Sequence, residues 1–144
     1  MTSLTVDIII EHEDSILLIK RKFPPYEGQF ALPGGFVEEG ETVEAAAARE
    51  LREETNLAVH SGHMQLLGVY SEPRRDPRGR VVSVAYYYAL KTPAGITPQV
   101  RAGDDAARAQ WMPFDQLDNL LMRNGFAFDH GQIIRNYLKV KARR

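Results

Sequence analysis

Residues 35–57 read GFVEEGETVEAAAARELREETNL, and this segment carries the clearest structural signal in the chain. Thr42 is a suitable N-cap, because its hydroxyl can accept a backbone N–H from the first helical turn. The alanines at positions 45–48 favour a helix, and the helical pattern continues to Thr55. Asn56 then tolerates the left-handed conformation that ends many helices. The stretch predicts a helix over residues 42–55, entered from a glycine-containing loop.

Three glutamates should converge on one face of this helix. Glu50, Glu53 and Glu54 stand at i, i+3 and i+4, on a face that is apolar one turn earlier. Such like charges repel by roughly a few tenths of a kcal/mol per pair, and each opposes the helix dipole by roughly 0.3–1 kcal/mol. A divalent cation would offset these costs, and hard oxygen ligands favour Mg²⁺ or Mn²⁺ over zinc. Most isolated acidic triplets are solvated helix faces, so this simpler interpretation stays open.

Short β-branched and leucine-rich runs lie on both sides of the helix in sequence. Residues 4–10 and 15–20 flank a polar tetrapeptide and predict a hairpin. Residues 65–70 and 80–90 predict two strands joined by a loop with prolines and a glycine, and residues 109–113 predict a further short strand.

A last helix should begin near Asp129. Asp129 and Gln132 have the spacing of a capping box, and the following residues supply an apolar face. Each helix therefore has one apolar stripe, and the strands between them are too apolar to leave a face bare. The expected fold class is α/β, with a mixed β-sheet sandwiched between helices (α/β/α).

Composition sets the broad class of protein. A chain of 144 residues has the size of one domain, so we expect residues 1–144 to form a single domain, alone or as a simple homodimer. The absence of cysteine excludes disulfides, thiolate zinc sites and a cysteine nucleophile. A formal net charge of −1 gives no reason to expect a nucleic-acid partner. No apolar run approaches the roughly 18 residues that cross a bilayer, so we expect a cytoplasmic protein without a membrane partner.

The spacing within residues 35–57 resembles the signature of the Nudix hydrolases. That signature is G-x5-E-x7-R-E-U-x-E-E-x-G-U, with U apolar, and this sequence matches every defined position except the second glycine, which is Asn56. The resemblance implies a Nudix fold and Mg²⁺-dependent hydrolysis of a nucleoside diphosphate linked to another group, with Mn²⁺ able to substitute. It also implies that Glu50, Glu53 and Glu54 bind the metal.

The same resemblance suggests roles for neighbouring residues. Arg49 would orient the catalytic carboxylates, and Glu41 would brace the loop or join the metal network. Gly34 and Gly35 would let the backbone turn tightly beside the substrate phosphates. An ordinary i, i+4 ion pair between Arg49 and Glu53 is compatible with the role of Arg49.

Segments outside this signature resemble compact prokaryotic ADP-ribose pyrophosphatases. They are residues 6–10, 30–37, 68–71, 75–80 and 126–130. The resemblance implies hydrolysis of ADP-ribose to AMP and ribose 5-phosphate. An oxidised deoxynucleoside triphosphate or a nucleotide sugar would fit the same signature, and some Nudix-like domains only sense nicotinamide metabolites. The complete set of signature glutamates favours an enzyme that acts on a small nucleotide.

Candidate substrate-binding residues are cationic or aromatic. Arg78 and Arg80, together with Arg75, could bind phosphate or ribose oxygens, and Arg21 precedes the loop that leads to the signature. Phe36, or alternatively Tyr70 or Tyr86, could stack on adenine. For each of these residues a solvated loop arginine or a core aromatic is an equally good interpretation.

The attacking water also needs a general base. Asp104 and Asp105 lie in a glycine-containing loop, where related enzymes often place an extra acidic residue, and Asp105 is the main candidate. A turn or helix cap is the alternative role for these aspartates. His63 and His130 are further candidates, although isolated histidines are more often structural.

Overall fold

The computed structural model describes residues 1–103 and 105–143, which contain seven strands and three α-helices. The strands are β1 (Ser3–His12), β2 (Ser15–Arg21), β3 (Phe30–Ala31), β4 (Gly34–Phe36), β5 (Gln65–Tyr70), β6 (Val81–Leu90) and β7 (Ala106–Pro113). The helices are α1 (Val43–Thr55), α2 (Phe114–Met122) and α3 (His130–Ala142). A 3-10 turn, Ser61–His63, precedes β5. No helix among these residues is long and apolar enough to span a membrane.

The sheet is mixed, and it splits at its centre. β1 pairs in parallel with β6 from Ser3 to His12, and β6 pairs antiparallel with β5. On its other edge β1 pairs with the start of β2 only at Glu11 and His12, and with β4 farther back along the strand. β2 continues alongside β7 and β3. Because β1 and β2 diverge, residues 30–36, here called the bridging segment, span the gap between them.

The two faces of the sheet bury different side chains, as the alternation along β1 requires. Ile8 and Ile10 point to one face and pack in a cluster with Leu51 of α1. Ile9 points to the other face and packs in a cluster with Ile133 of α3, to which α2 also contributes. The helices thus cover opposite faces, and the predicted α/β/α sandwich is confirmed.

Helix α1 has the predicted boundaries. The Thr42 hydroxyl accepts the Ala45 N–H at 3.1 Å, and Asn56 ends the helix with φ of 65°. Its last carbonyls are also satisfied, because the Arg101 N–H donates to Thr55 O and the Gly103 N–H donates to Glu54 O, each at 2.9 Å. The loop that precedes β7 is therefore fixed to the C-terminal end of α1.

Several boundaries in the C-terminal half differ from the sequence prediction. β7 begins at Ala106 rather than at residue 109, because pairing with β2 extends the strand. Helix α2 was not predicted; it has nine residues and no side-chain N-cap, so its local signal is weak. Asp129 does precede α3, but its side chain makes no cap hydrogen bond. It instead accepts two bonds from Arg75, so the predicted capping box is wrong.

Candidate active site

A cavity of about 520 Å³ opens where β1 and β2 diverge. The bridging segment and α1 form one side of it, and the loop between β5 and β6 contributes to the other. It is lined by charged, glycine and aromatic residues that include Asp7, Arg21, Gly34, Gly35, Phe36, Arg49, Glu50, Glu53, Glu54, Arg75, Asp76, Arg78, Asp105, Phe128 and His130. The structure thus brings together the three signature glutamates, Arg49, Asp105, Gly34, Gly35, Arg21, Phe36 and Arg78, whereas Arg80 does not line the cavity.

Glu50, Glu53 and Glu54 form the acidic wall of this cavity. Arg49 ties two of them together, since one guanidinium nitrogen donates to Glu50 at 2.7 Å and to Glu53 at 3.1 Å. The rest of the Arg49 guanidinium donates to Glu41 at 2.7 and 2.9 Å. These bonds lower the pKa of Glu41 to about 2 and raise the pKa of Arg49. Arg49 therefore ties Glu50 and Glu53 to Glu41, in the loop that precedes α1.

Glu54 is the deepest carboxyl of the acidic wall. Burial, followed by the charge of Glu50, raises the pKa of Glu54 to about 9, although the Gly34 backbone N–H bonds to it. Its Oε2 atom is buried and has no hydrogen-bond partner within residues 1–103 and 105–143. Burial also raises the pKa of Glu50 against the opposing effect of Arg49. A buried carboxyl with an unpaired oxygen, lying beside a second carboxyl of raised pKa, fits a divalent cation.

The carboxyls of the acidic wall are not arranged around a common point. Within the part of the chain that is described, no group of three or more His, Asp or Glu side chains is arranged to hold a metal ion. Glu53 explains part of this, because its side chain is exposed and turned to Arg49. A cation held by Glu50 and Glu54 would compete with Arg49 for the Glu50 carboxylate.

Two glycines allow the bridging segment to approach the acidic wall. A Cβ atom at Gly35 would lie 2.4–2.6 Å from the carboxyl atoms of Glu50, and one at Gly34 would lie 2.1 Å from Val6 O. Both distances are shorter than van der Waals contact, so neither position accepts a side chain without displacement. Close packing against backbone requires glycine at position 34, whereas a side chain at position 35 would displace the Glu50 carboxylate; neither glycine has a positive φ.

The loop before β7 brings Asp105 to the same cavity. Asp105 is exposed at the cavity edge, and its charge contributes to raising the pKa of both Glu50 and Glu54. Glycine at position 103 allows the loop to pack closely against α1, because a Cβ there would lie 1.9 Å from Glu53 O. Asp104, the other candidate base, lies outside the described residues.

Arg21 and Arg78 form the basic wall of the cavity. The Nε of Arg21 donates to Pro25 O at 2.6 Å, while Arg78 donates to the Asp76 carboxylate at 2.8 and 3.1 Å. Burial and then the nearby charge of Arg78 lower the pKa of Arg21. The two guanidinium groups therefore lie close enough to repel each other, and an anion between them would be stabilised.

The remaining candidates have other partners. Arg80 donates to Ser71 O at 2.5 Å outside the cavity, and Arg75 is buried in a two-bond contact with Asp129. Tyr70 and Tyr86 bond to Asn136 and Glu44, and neither lines the cavity. His63 stacks on Tyr88, with ring centroids 5.3 Å apart. Among the aromatic candidates, Phe36 is the one in the cavity.

His130 and Asp7 form a buried polar floor that the sequence analysis largely missed. The Nδ1 atom of His130 accepts the Leu32 N–H at 3.0 Å, and its Nε2 lies 3.2 Å from Asp7 Oδ1. Asp7 also accepts the Ser83 hydroxyl at 2.5 Å. Burial acts to raise the pKa of Asp7, but His130, Ser83 and Arg75 outweigh it and lower the pKa. A charged residue inside the apolar run of β1 was the available signal.

Phe128 was also not singled out from the sequence. Its ring lies at the basic wall, with the Arg21 and Arg78 guanidinium carbons 5.0 and 5.3 Å from the ring centroid. Its backbone has φ of 52°, a conformation that a bulky residue adopts only with strain. No periodic pattern marks such a position.

Comparison with known proteins agrees with this geometry. The family model described as NUDIX domain matches residues 1–137. The ADP-ribose pyrophosphatase of Methanocaldococcus jannaschii is 48% identical over 139 residues, which are 96% of this chain and 75% of that protein. An Acinetobacter baylyi protein named ADPR responsive transcriptional repressor NtrR is 30% identical over 138 residues, with 92% of this chain and 51% of that protein covered.

A solved structure shares the whole architecture. A bifunctional NMN adenylyltransferase/ADP ribose pyrophosphatase from Francisella tularensis, complexed with AMP and a Mn ion, superposes with a TM-score of 0.87 at 32% identity. The match covers 96% of this chain but only 42% of that chain. Together with the glutamate signature, these matches show that the chain belongs to the Nudix family.

Proposed function

We propose that this chain hydrolyses ADP-ribose to AMP and ribose 5-phosphate, with Mg²⁺ as its cofactor and Mn²⁺ able to substitute. One observation carries the proposal: a single cavity has an acidic wall, in which Glu50 and Glu54 have raised pKa values, and a basic wall of two arginines. A diphosphate bound together with a cation has the charge distribution that complements both walls. The name of the M. jannaschii relative supports the choice of ADP-ribose.

The chain's residues would divide the work between binding and catalysis. Arg21 and Arg78 would donate charge-assisted hydrogen bonds to the diphosphate oxygens. The bridging segment would bring the Gly35 backbone close to the phosphates, since it has no side chain to obstruct them. Phe36, which is exposed at the cavity, would provide a stacking surface for adenine.

The carboxylates would hold the cofactor and take up the proton of the attacking water. Glu50 and Glu54 would bind the cation with Glu53 as a further ligand, and Arg49 would fix the positions of Glu50 and Glu53. A bound divalent cation supplies Lewis-acid polarisation of a phosphoryl oxygen and screens the substrate from the glutamates. Water would attack one phosphorus and its proton would pass to Asp105 or Glu53, while the bridging P–O bond breaks and the other phosphate monoester leaves with the bridging oxygen.

Removal and return of the metal test this assignment. A chelator should abolish release of AMP from ADP-ribose, and Mg²⁺ or Mn²⁺ should restore it. Activity that persists in chelator would contradict the metal assignment.

The protein is also proposed to act in the cytoplasm on a small nucleotide, without a nucleic-acid or membrane partner.

A ligand-sensing role is the second candidate, because one relative is named as an ADPR responsive repressor. The two functions separate in one experiment that measures binding and turnover of ADP-ribose on the same sample. Tight binding in Mg²⁺ with no AMP released would favour the sensor. Multiple turnovers would favour the hydrolase.

A further inference from the structure

Phe128 lies at the point where the two arginines of the basic wall meet. The guanidinium carbon of Arg21 is 5.0 Å from its ring centroid, and that of Arg78 is 5.3 Å away. Arg78 also lies 5.3 Å from the ring centroid of Phe36. One aromatic ring thus contacts both arginines of the basic wall.

The backbone of Phe128 indicates that the ring is placed there for more than packing. Its φ of 52° suits glycine or asparagine better than a bulky residue. Neighbours hold it in place: the Tyr26 ring packs edge-on at 4.9 Å, and the Ala127 N–H donates to Phe30 O at 2.8 Å. A bulky ring kept in an unfavourable conformation at a cavity edge points to a functional constraint.

The Phe128 ring also offsets the repulsion between the two arginines. Two guanidinium groups at one end of a cavity repel each other and would move apart toward solvent. The negative face of an aromatic ring attracts both, within the distance at which cation–π contacts are significant. The ring therefore favours the arrangement in which both arginines stay in the cavity.

We propose that Phe128 is a positioning residue that holds Arg21 and Arg78 together for binding of a diphosphate group. This role of Phe128 rests on the proposed function for the identity of the substrate that carries the diphosphate. Phe128 takes no part in the chemical step, so its loss should weaken binding and leave turnover at saturation unchanged.

Three variants test the role of the ring. Phe128→Leu removes the π face while keeping an apolar side chain, and Phe128→Tyr restores the face. Phe114→Leu is the matched control, because the Phe114 ring makes a cation–π contact outside the cavity, with Lys141 Nζ 4.3 Å from its centroid. Phe128→Met, which also lacks a π face, replaces the leucine variant if that variant folds poorly.

For Phe128→Leu the KM for ADP-ribose should rise on the order of five- to thirty-fold, as expected for two lost cation–π contacts. Its kcat should stay within about twofold of wild type. Phe128→Tyr and Phe114→Leu should both have the wild-type KM. An unchanged KM in Phe128→Leu, or a rise that tyrosine fails to reverse, would overturn the proposal.

A binding measurement separates this proposal from the proposed function. The probe is inorganic diphosphate, titrated calorimetrically in the presence of a chelator, so that the arginines act without a metal. Phe128→Leu should bind it more weakly by a similar factor; no binding to wild type, or equal binding to both, would contradict the role of Phe128. If binding depends on Phe128 while ADP-ribose is not cleaved, only the proposed function fails.

Discussion

Glu54 is the residue at which burial and charge conflict most directly. Its carboxyl lies beside Glu50, and its Oε2 atom is buried with no hydrogen-bond partner among the residues that the structure describes. Glu54→Gln keeps the size and helix propensity of the side chain but removes the charge that a cation needs. Turnover of ADP-ribose should fall by about two orders of magnitude or more, with thermal unfolding unchanged or shifted upward.

The matched control is Glu39→Gln, which changes an exposed glutamate in the loop before α1. It should retain the wild-type kcat. Turnover of Glu54→Gln within a few-fold of wild type would remove Glu54 from the metal site.

The raised pKa of Glu54 also predicts a pH dependence of stability in chelator. The folded protein holds this proton up to about pH 9, whereas the ordinary pKa is 4.5. The corresponding stabilisation is fully present below pH 4.5 and is lost as the pH rises through about 9. Denaturant titrations between these limits should show wild type losing stability relative to Glu54→Gln. Parallel curves for the two proteins would contradict the raised pKa.

Arginine variants distinguish the basic wall from Arg80, which lies at the end of the loop between β5 and β6. Arg21→Ala and Arg78→Ala should each raise the KM for ADP-ribose, by the roughly 1–3 kcal/mol of a lost charge-assisted hydrogen bond, or about five- to 150-fold. Arg80→Ala is the control, because Arg80 bonds to Ser71 O outside the cavity. Equal effects in Arg78→Ala and Arg80→Ala would place the diphosphate elsewhere.

At the scale of elements, the loop before β7 is held on the C-terminal end of α1. Gly103→Ala would place a Cβ 1.9 Å from Glu53 O and disturb the hydrogen bond from Gly103 N–H to Glu54 O. The change should move Asp105 and the last turn of α1, so kcat should fall about tenfold or more at temperatures where the protein is folded. Steady-state kinetics of Gly103→Ala and Gly68→Ala would measure this effect.

Gly68→Ala is the control, since the nearest atom to its new Cβ is 3.7 Å away in the Tyr70 ring. It should leave kcat within about twofold of wild type. A Gly103→Ala variant with wild-type kinetics would show that the loop does not position catalytic groups.

Helix α1 could be predicted from sequence because its signals are local. The Thr42 cap, the alanine run and Asn56 lie within one segment, and the glutamate spacing fixes their common face. Helix α2 and the true role of Asp129 could not be predicted in this way. Asp129 binds Arg75 instead of capping α3. Arg75 is 54 positions away in sequence, and no local pattern contains that contact.

At the scale of the whole molecule, the cavity exists because two neighbouring strands diverge. The sequence predicted β1 and β2 as a hairpin, but not that the bridging segment would fill the gap between them. Asp7, Phe128 and His130 reach the cavity from distant parts of the chain. Their contribution depends on tertiary contacts, which explains why the glutamates were identified from sequence, whereas Asp7 and Phe128 were not and His130 was named only as a candidate base.

The two walls complement a diphosphate bound together with a cation, and a comparison of substrates tests the proposed choice of ADP-ribose. In Mg²⁺, kcat/KM should be measured for ADP-ribose and for oxidised dGTP, with the products identified. ADP-ribose should have the higher kcat/KM and should yield AMP and ribose 5-phosphate, with no turnover in chelator. A higher kcat/KM for oxidised dGTP would contradict the assignment of ADP-ribose as the substrate.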